Sequence, residues 1–214
     1  MEEKESKRLK TGTTTVAIVC KEGIVLAADR RSTAGYFIAD KDVEKVVKIN
    51  DNIAVTTAGL VSDVQLIVKL VRAELTLKKI RSGREPTIKE AANLTASIIY
   101  QNIRKFSPVM SIVGFLLAGK DRFGYKLYQL GVDGSITESK SFRSDGSGCL
   151  AAFGVLDTLY KEGINLQEGI NLSKKAINAA IQRDAASGEG IDIYTITEKG
   201  VHKVFGEKIE TKIQ

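Results

Sequence analysis

Apolar positions along the chain change period several times, and each change marks an element. Residues 13–20, Thr13-Thr14-Thr15-Val16-Ala17-Ile18-Val19-Cys20, are dense in β-branched side chains and predict a strand. Lys21-Glu22-Gly23 predicts a turn, and residues 24–28 a second, largely buried strand. Further strands are predicted at 35–40, 46–50 and 53–57. The spacing then becomes helical: Val64, Ile67, Val68, Val71, Leu75 and Ile80 define a helix over 62–80. Ser62 and Gln65 have the S-x-x-Q form of a capping box at its start. Pro86 suits the first turn of a second helix running to about residue 106, with Ile88, Ala91, Ala92, Thr95, Ile98, Ile99 and Ile103 inward.

Strand patterns return at 111–118 and 123–131, followed by a Val132-Asp133-Gly134-Ser135 turn. A glycine-rich link, Ser144-Asp145-Gly146-Ser147-Gly148, leads into helical segments at 149–162 and 166–186. Strands at 192–197 and 201–205 close the chain, and no short-period repeat occurs. The order is strands, two helices, strands, two helices, strands. Hairpin-length links favour antiparallel sheets, and helix pairs must cover exposed sheet faces. The expected fold is α+β, a four-layer α/β/β/α sandwich of two antiparallel sheets flanked by helix pairs.

Composition narrows the function. With 214 residues, 43% of them hydrophobic, the chain can bury a core of its own. Its longest uncharged stretch, 106–119, is 14 residues, short of the roughly 20 a spanning helix needs, so no membrane association is expected. Net charge is +6, but the densest basic group, Lys78, Lys79, Arg81 and Arg84, is flanked by Glu74 and Glu85. Neither an RNA-binding aromatic motif nor a cysteine–histidine finger accompanies it, so nucleic acid is not the expected partner. Two cysteines, Cys20 and Cys149, define neither a disulfide framework nor a metal spacing, and point to a reducing, cytoplasmic setting.

The single histidine excludes more. His202 lies in an alternating strand pattern, Val201-His202-Lys203-Val204-Phe205, which reads as a half-exposed strand position. A hydrolase built on this chain therefore takes its general base from another group. The leading residues 1–12 carry almost no apolar content and no secretory h-region, and read as a removable leader preceding one domain over 13–214. Removing it would change the net charge only from +6 to +5, since it holds four basic and three acidic residues.

Gly12-Thr13 is the only Gly-Thr pair, at the junction of leader and first strand. Cleavage between them would give Thr13 a hydroxyl and a free α-amine on one residue. An α-amine titrates near roughly 7.7–8.0, so a useful fraction is neutral at pH 7 and can accept the hydroxyl proton. This activates a nucleophile without histidine.

Thr13-Thr14-Thr15-Val16-Ala17-Ile18-Val19, Ala28-Asp29-Arg30-Arg31, Thr57-Ala58-Gly59 and Arg183-Asp184-Ala185-Ala186-Ser187-Gly188, in this order, resemble proteasome β subunits of the archaeal type. The resemblance covers essentially everything from Thr13 onward. It implies an N-terminal-nucleophile hydrolase fold and heptameric β rings stacked into a barrel, with α-subunit rings outside and proteolysis of unfolded polypeptides inside. An ATP-dependent unfoldase would be a separate partner, and no cofactor is implied. Thr13 would be the nucleophile, with Gly12 giving the scissile bond permissive backbone. Asp29 and Lys45, each sixteen residues beyond the last, would be the carboxylate and ammonium beside it. Gly59 would supply the oxyanion amide. Ser147, Asp184 and Ser187 would orient the amine and a water. Ser32, Val43, Val47, Thr57, Val61 and Gln65 fall on the positions of the primary specificity pocket. Three valines with no obvious acid or base suggest cleavage after hydrophobic residues. Taken alone, Lys45 reads as a surface lysine, Gly59 as a turn glycine, and the two serines and Asp184 as cap and turn residues. A β subunit that never processes its leader is the alternative within the same family.

Overall fold

A computed structural model describes residues 12–107 and 111–209. The expected leader, apart from Gly12, lies outside the described residues. The described residues open with β1 (Thr14–Cys20) and β2 (Gly23–Asp29), then a small hairpin, β3 (Ser32–Ala34) and β4 (Phe37–Asp40). β5 (Val46–Lys48) and β6 (Ile53–Gly59) lead into helices α1 (Val61–Ser82) and α2 (Ile88–Ile103). Four strands follow: β7 (Val113–Asp121), β8 (Gly124–Leu130), β9 (Ile136–Ser139) and β10 (Phe142–Gly146). Helices α3 (Cys149–Leu159) and α4 (Leu166–Arg183) precede β11 (Gly190–Thr197) and β12 (Gly200–Lys208).

The strands form two five-stranded sheets, ordered β10-β1-β2-β11-β12 and β5-β6-β7-β8-β9, and their pairings are antiparallel. Three apolar clusters follow from strand alternation. Val16, Ile18, Val25 and Ala27 pack with Ala152, Leu156, Ala176 and Ile177 of α3 and α4. Their neighbours Ala17, Ile24, Leu26 and Ala28 pack with Ala54, Leu116, Ala118 and Leu127 of the second sheet. Val55, Phe115 and Leu117 on the other side of that sheet pack with Ile67, Val71, Ile88 and Ile99 of α1 and α2. Strands buried on both sides need apolar residues at every position, which is why residues 24–28 read as one continuous run.

Several expectations are corrected. Ser62 and Gln65 form no capping box: α1 is capped at Leu60 without a side-chain hydrogen bond. The chain enters the helix straight from β6, and the Leu60 N–H is taken by the Ile112 carbonyl at 3.1 Å. True capping boxes sit at Thr87–Glu90 and Asn165–Glu168, and Pro86 precedes the cap rather than occupying the first turn. Ile80 is exposed, and Ile98 and Ile103 are half-buried. The second, third and fourth helices end at Ile103, Leu159 and Arg183, short of the expected 106, 162 and 186. The supposed link at 144–148 is largely strand, because β10 pairs with β1 from Gly146↔Thr14 to Phe142↔Ile18. The β3 and β9 strands went unforeseen. His202 is exposed rather than half-exposed, with its Nε2 at 2.8 Å from the Lys199 carbonyl.

Candidate active site

The site forms where the ends of β1, β2 and β6 meet the 42–45 segment, the β10–α3 turn and the 184–189 segment. Thr13 leads β1 and is 6% exposed. Its hydroxyl donates to the Gly12 carbonyl at 2.6 Å, so the nucleophile candidate already touches the bond that would be cut. Its backbone N–H donates to Ser147 Oγ at 3.2 Å, and the Gly12 N–H to Thr33 Oγ1 at 2.9 Å. Glycine at 12 also has a steric cause: a Cβ there would lie 1.7 Å from that of Ala186.

Asp29, the last residue of β2, is fully buried. Its Oδ1 accepts from Lys45 Nζ at 2.8 Å and from the Thr14 N–H at 2.9 Å. Its Oδ2 accepts from the N–H groups of Arg31 and Gly188 at 3.0 and 2.9 Å. Four donors make this carboxylate affordable inside the protein, since an unsatisfied buried charge would not be. Lys45 is 4% exposed. Burial pushes its ammonium below the ordinary lysine pKa, against the opposing pull of Asp29. The Thr57 backbone and side chain both bond the Lys45 carbonyl, fixing the segment from below.

On the other side, Asp184 Oδ2 accepts from Ser147 Oγ and Ser187 Oγ, each at 2.6 Å. Ser187 Oγ also lies 2.7 Å from Thr14 Oγ1. Ser147 and the Asp184–Ser187 pair, 37 positions further along the chain, thus form one network that ends on the Thr13 nitrogen. Arg31 ties the same loop down through Glu189 and the Ala185 carbonyl.

A cavity of about 290 Å³ opens beside Thr13. Lys45 and Gly59 line it, as do all six expected pocket residues, Ser32, Val43, Val47, Thr57, Val61 and Gln65. The expectation of a wall without acid or base is corrected: Glu44, Lys69 and Arg72 also line the cavity, with Val64 and Val68. Gly59 holds φ at 119°, and a Cβ there would strike the Ile112 carbonyl at 2.0 Å. That conformation ends β6 and starts α1 at the cavity edge. Sequence reasoning missed Thr14, Arg31 and Thr33: the contacts of Thr14 and of the Thr33 hydroxyl here reach 15 or more positions and those of the Arg31 side chain 154 or more, which left no local signal.

A sheet sandwich carrying a buried threonine, a paired carboxylate and ammonium, and a serine–aspartate network defines a class of site suited to N-terminal nucleophile chemistry. Residues 9–196 match the family model described as proteasome subunit. The chain is 43% identical to proteasome subunit beta 1 of Thermococcus onnurineus over 209 residues, 98% of this chain and 100% of the relative. It is 41% identical to proteasome subunit beta of Ferroglobus placidus over 203 residues, 95% of each chain. With proteasome subunit beta of Archaeoglobus fulgidus the identity is 38% over 204 residues, 95% of this chain and 94% of the relative. The chain belongs to the proteasome subunit family. Among the described residues no helix is long and apolar enough to cross a membrane.

Proposed function

We propose that this chain is a catalytic β subunit of a proteasome core, a threonine endopeptidase exposed by loss of residues 1–12. The observation that carries the reading is the 2.6 Å contact between the Thr13 hydroxyl and the Gly12 carbonyl, beside a cavity shared with Lys45. In the first step Thr13 Oγ1 attacks the Gly12 carbonyl carbon. The C–N bond breaks, an ester to Thr13 forms, and the nitrogen leaves as an amine. Water hydrolyses the ester and releases the Gly12 carboxylate, leaving Thr13 as the new terminus.

In peptide cleavage that amine takes the Thr13 hydroxyl proton, directly or through a water. The oxygen attacks the substrate carbonyl, the Gly59 amide stabilises the oxyanion, and the proton passes to the departing amine. Water then frees the acyl group. Ser147, already hydrogen-bonded to the Thr13 nitrogen, holds the amine, backed by the Asp184 carboxylate it shares with Ser187. The Lys45 ammonium favours the neutral amine and the Thr13 alkoxide.

The reading includes the four-layer α/β/β/α sandwich, supported by the three apolar clusters, and a propeptide at 1–12 ahead of the domain at 13–214. It places the subunit in heptameric β rings capped by α rings in the cytoplasm, fed with unfolded polypeptides by an ATP-dependent unfoldase. Five valines among the cavity residues support cleavage after hydrophobic residues.

The test is Thr13→Ala co-assembled with α subunits. Rings that form and hydrolyse no peptide support the proposal; rings that keep hydrolysing overturn it. Full-length wild-type chains in inactive rings would instead indicate the non-processing subunit.

A further inference from the structure

The 42–45 segment contributes Val43 to the cavity wall and Lys45 to the Asp29 pair, yet it lies in neither a strand nor a helix. A cluster of charged groups beside the cavity holds it. Arg30 is 8% exposed and pairs with the buried carboxylate of Asp192 and, at 3.0 Å, with Asp42. Its backbone carbonyl accepts the Val43 N–H at 3.0 Å. The Tyr194 hydroxyl donates to Glu44. Lys203 pairs with Asp192 at 2.9 Å and stands 3.8 Å from Glu44, while Lys208 pairs with Asp42. Residues 42, 43 and 44 are therefore each tied to the β2 end or the β11–β12 pair, immediately before Lys45.

The strand pair is cleared for this arrangement. A Cβ at Gly206 would come within 3.1 Å of both the Arg30 guanidinium and the Asp192 carboxylate. One at Gly190 would meet Arg30 Cδ at 2.9 Å. Among the described residues, Arg30 Nε is buried without a partner. A buried ion pair adds little net stability over apolar side chains of equal volume, so its use here points to geometry rather than stability.

We propose that Arg30, Asp192 and Tyr194 are positioning residues, a clamp that sets where Val43 and Lys45 stand relative to Thr13. The inference rests on the proposed peptidase reading and deepens it. It assigns a role to side chains that touch neither substrate nor Thr13. A displacement of about 1 Å in such a site can lower the rate by about 10²-fold.

The experiment compares wild type with Asp42→Ala/Tyr194→Phe, each co-assembled with α subunits. Both changes cut ties to the segment and leave the buried Arg30–Asp192 pair intact. Using a fluorogenic peptide with a hydrophobic residue before the cleaved bond, kcat is expected to fall about tenfold, with KM raised through Val43. If that variant does not assemble, Tyr194→Phe alone loses one oxygen and is expected to lower kcat about threefold. Unchanged kcat and KM with a lowered melting temperature would show a merely structural cluster and overturn the clamp. Thr13→Ala separates the two levels. If it retains wild-type hydrolysis, the peptidase reading fails; if it is inactive while the clamp variants match wild type, the clamp alone fails.

Discussion

Asp29 Oδ1 stands 2.8 Å from Lys45 Nζ, and both side chains are shielded from water. Removing one member leaves the other charged and buried, which costs about 3–5 kcal/mol. Lys45→Met and Asp29→Asn should each lower the melting temperature and abolish hydrolysis. The double variant Asp29→Asn/Lys45→Met should recover only part of the stability, because three backbone N–H groups still face residue 29 and an asparagine offers one acceptor oxygen, and none of the activity. Thermal melts beside peptide assays check this, and a double variant that hydrolyses peptides would remove the pair from the mechanism.

Gly12→Ala should slow or block removal of residues 1–12. The added carbon would sit 1.7 Å from Ala186 Cβ, so the scissile bond must shift. Ala186→Gly in the same chain should restore part of the processing by deleting that atom. Mass spectrometry of assembled subunits at successive times gives the rates. Equal rates for Gly12→Ala and wild type would contradict the steric account.

The proposed specificity pocket predicts faster cleavage after a large apolar residue than after alanine, by roughly 10–200-fold in kcat/KM. Val47→Asp should erase most of that preference, since it places a charge against the apolar wall. Fluorogenic peptides differing only in the residue before the cleaved bond measure it. A preference for acidic residues would shift attention to Lys69 and Arg72 as the determinants.

Acid should weaken the start of α2. Hydrogen bonding to Arg84 holds the Glu90 carboxyl below its ordinary value of 4.5, with further help from Thr87 and Lys78. A depressed folded-state pKa contributes stability above the unfolded-state value, and that stability is lost as pH falls towards the folded one. Glu90→Gln should therefore narrow its stability deficit against wild type as pH drops below about 4.5. Denaturant melts across that range test the sign; a deficit that grows would refute it. Thr87→Ala should cost about 1 kcal/mol through loss of the same cap.

The sequence carried the fold where burial is one-sided or complete. Strand β1 announced itself through β-branched residues, β2 through a continuous apolar run, and α1 and α2 through the spacing of their apolar residues. It failed where tertiary pairing overrides composition. β9 has exposed Ile136, Thr137 and Glu138, and β10 mixes Arg143 and Asp145 into its run, so neither shows alternation. Ser62-x-x-Gln65 matched a capping motif that Thr87-x-x-Glu90 and Asn165-x-x-Glu168 fulfil, because β6 delivers the chain to α1 already turned. At the site, family resemblance brought forward Thr13, Asp29, Lys45 and the Ser147–Asp184–Ser187 group. It gave no sign of Thr33 under Gly12, or of the Arg30 cluster, since both depend on contacts across long sequence separations.

The central claim is that Thr13 acts only once its own amine is free. Intact mass of the subunit, taken from particles whose peptidase rate is measured on the same sample, tests it most directly. The account predicts active particles whose chains begin at Thr13, lacking residues 1–12. Full activity from particles whose chains still carry Gly12 would contradict it.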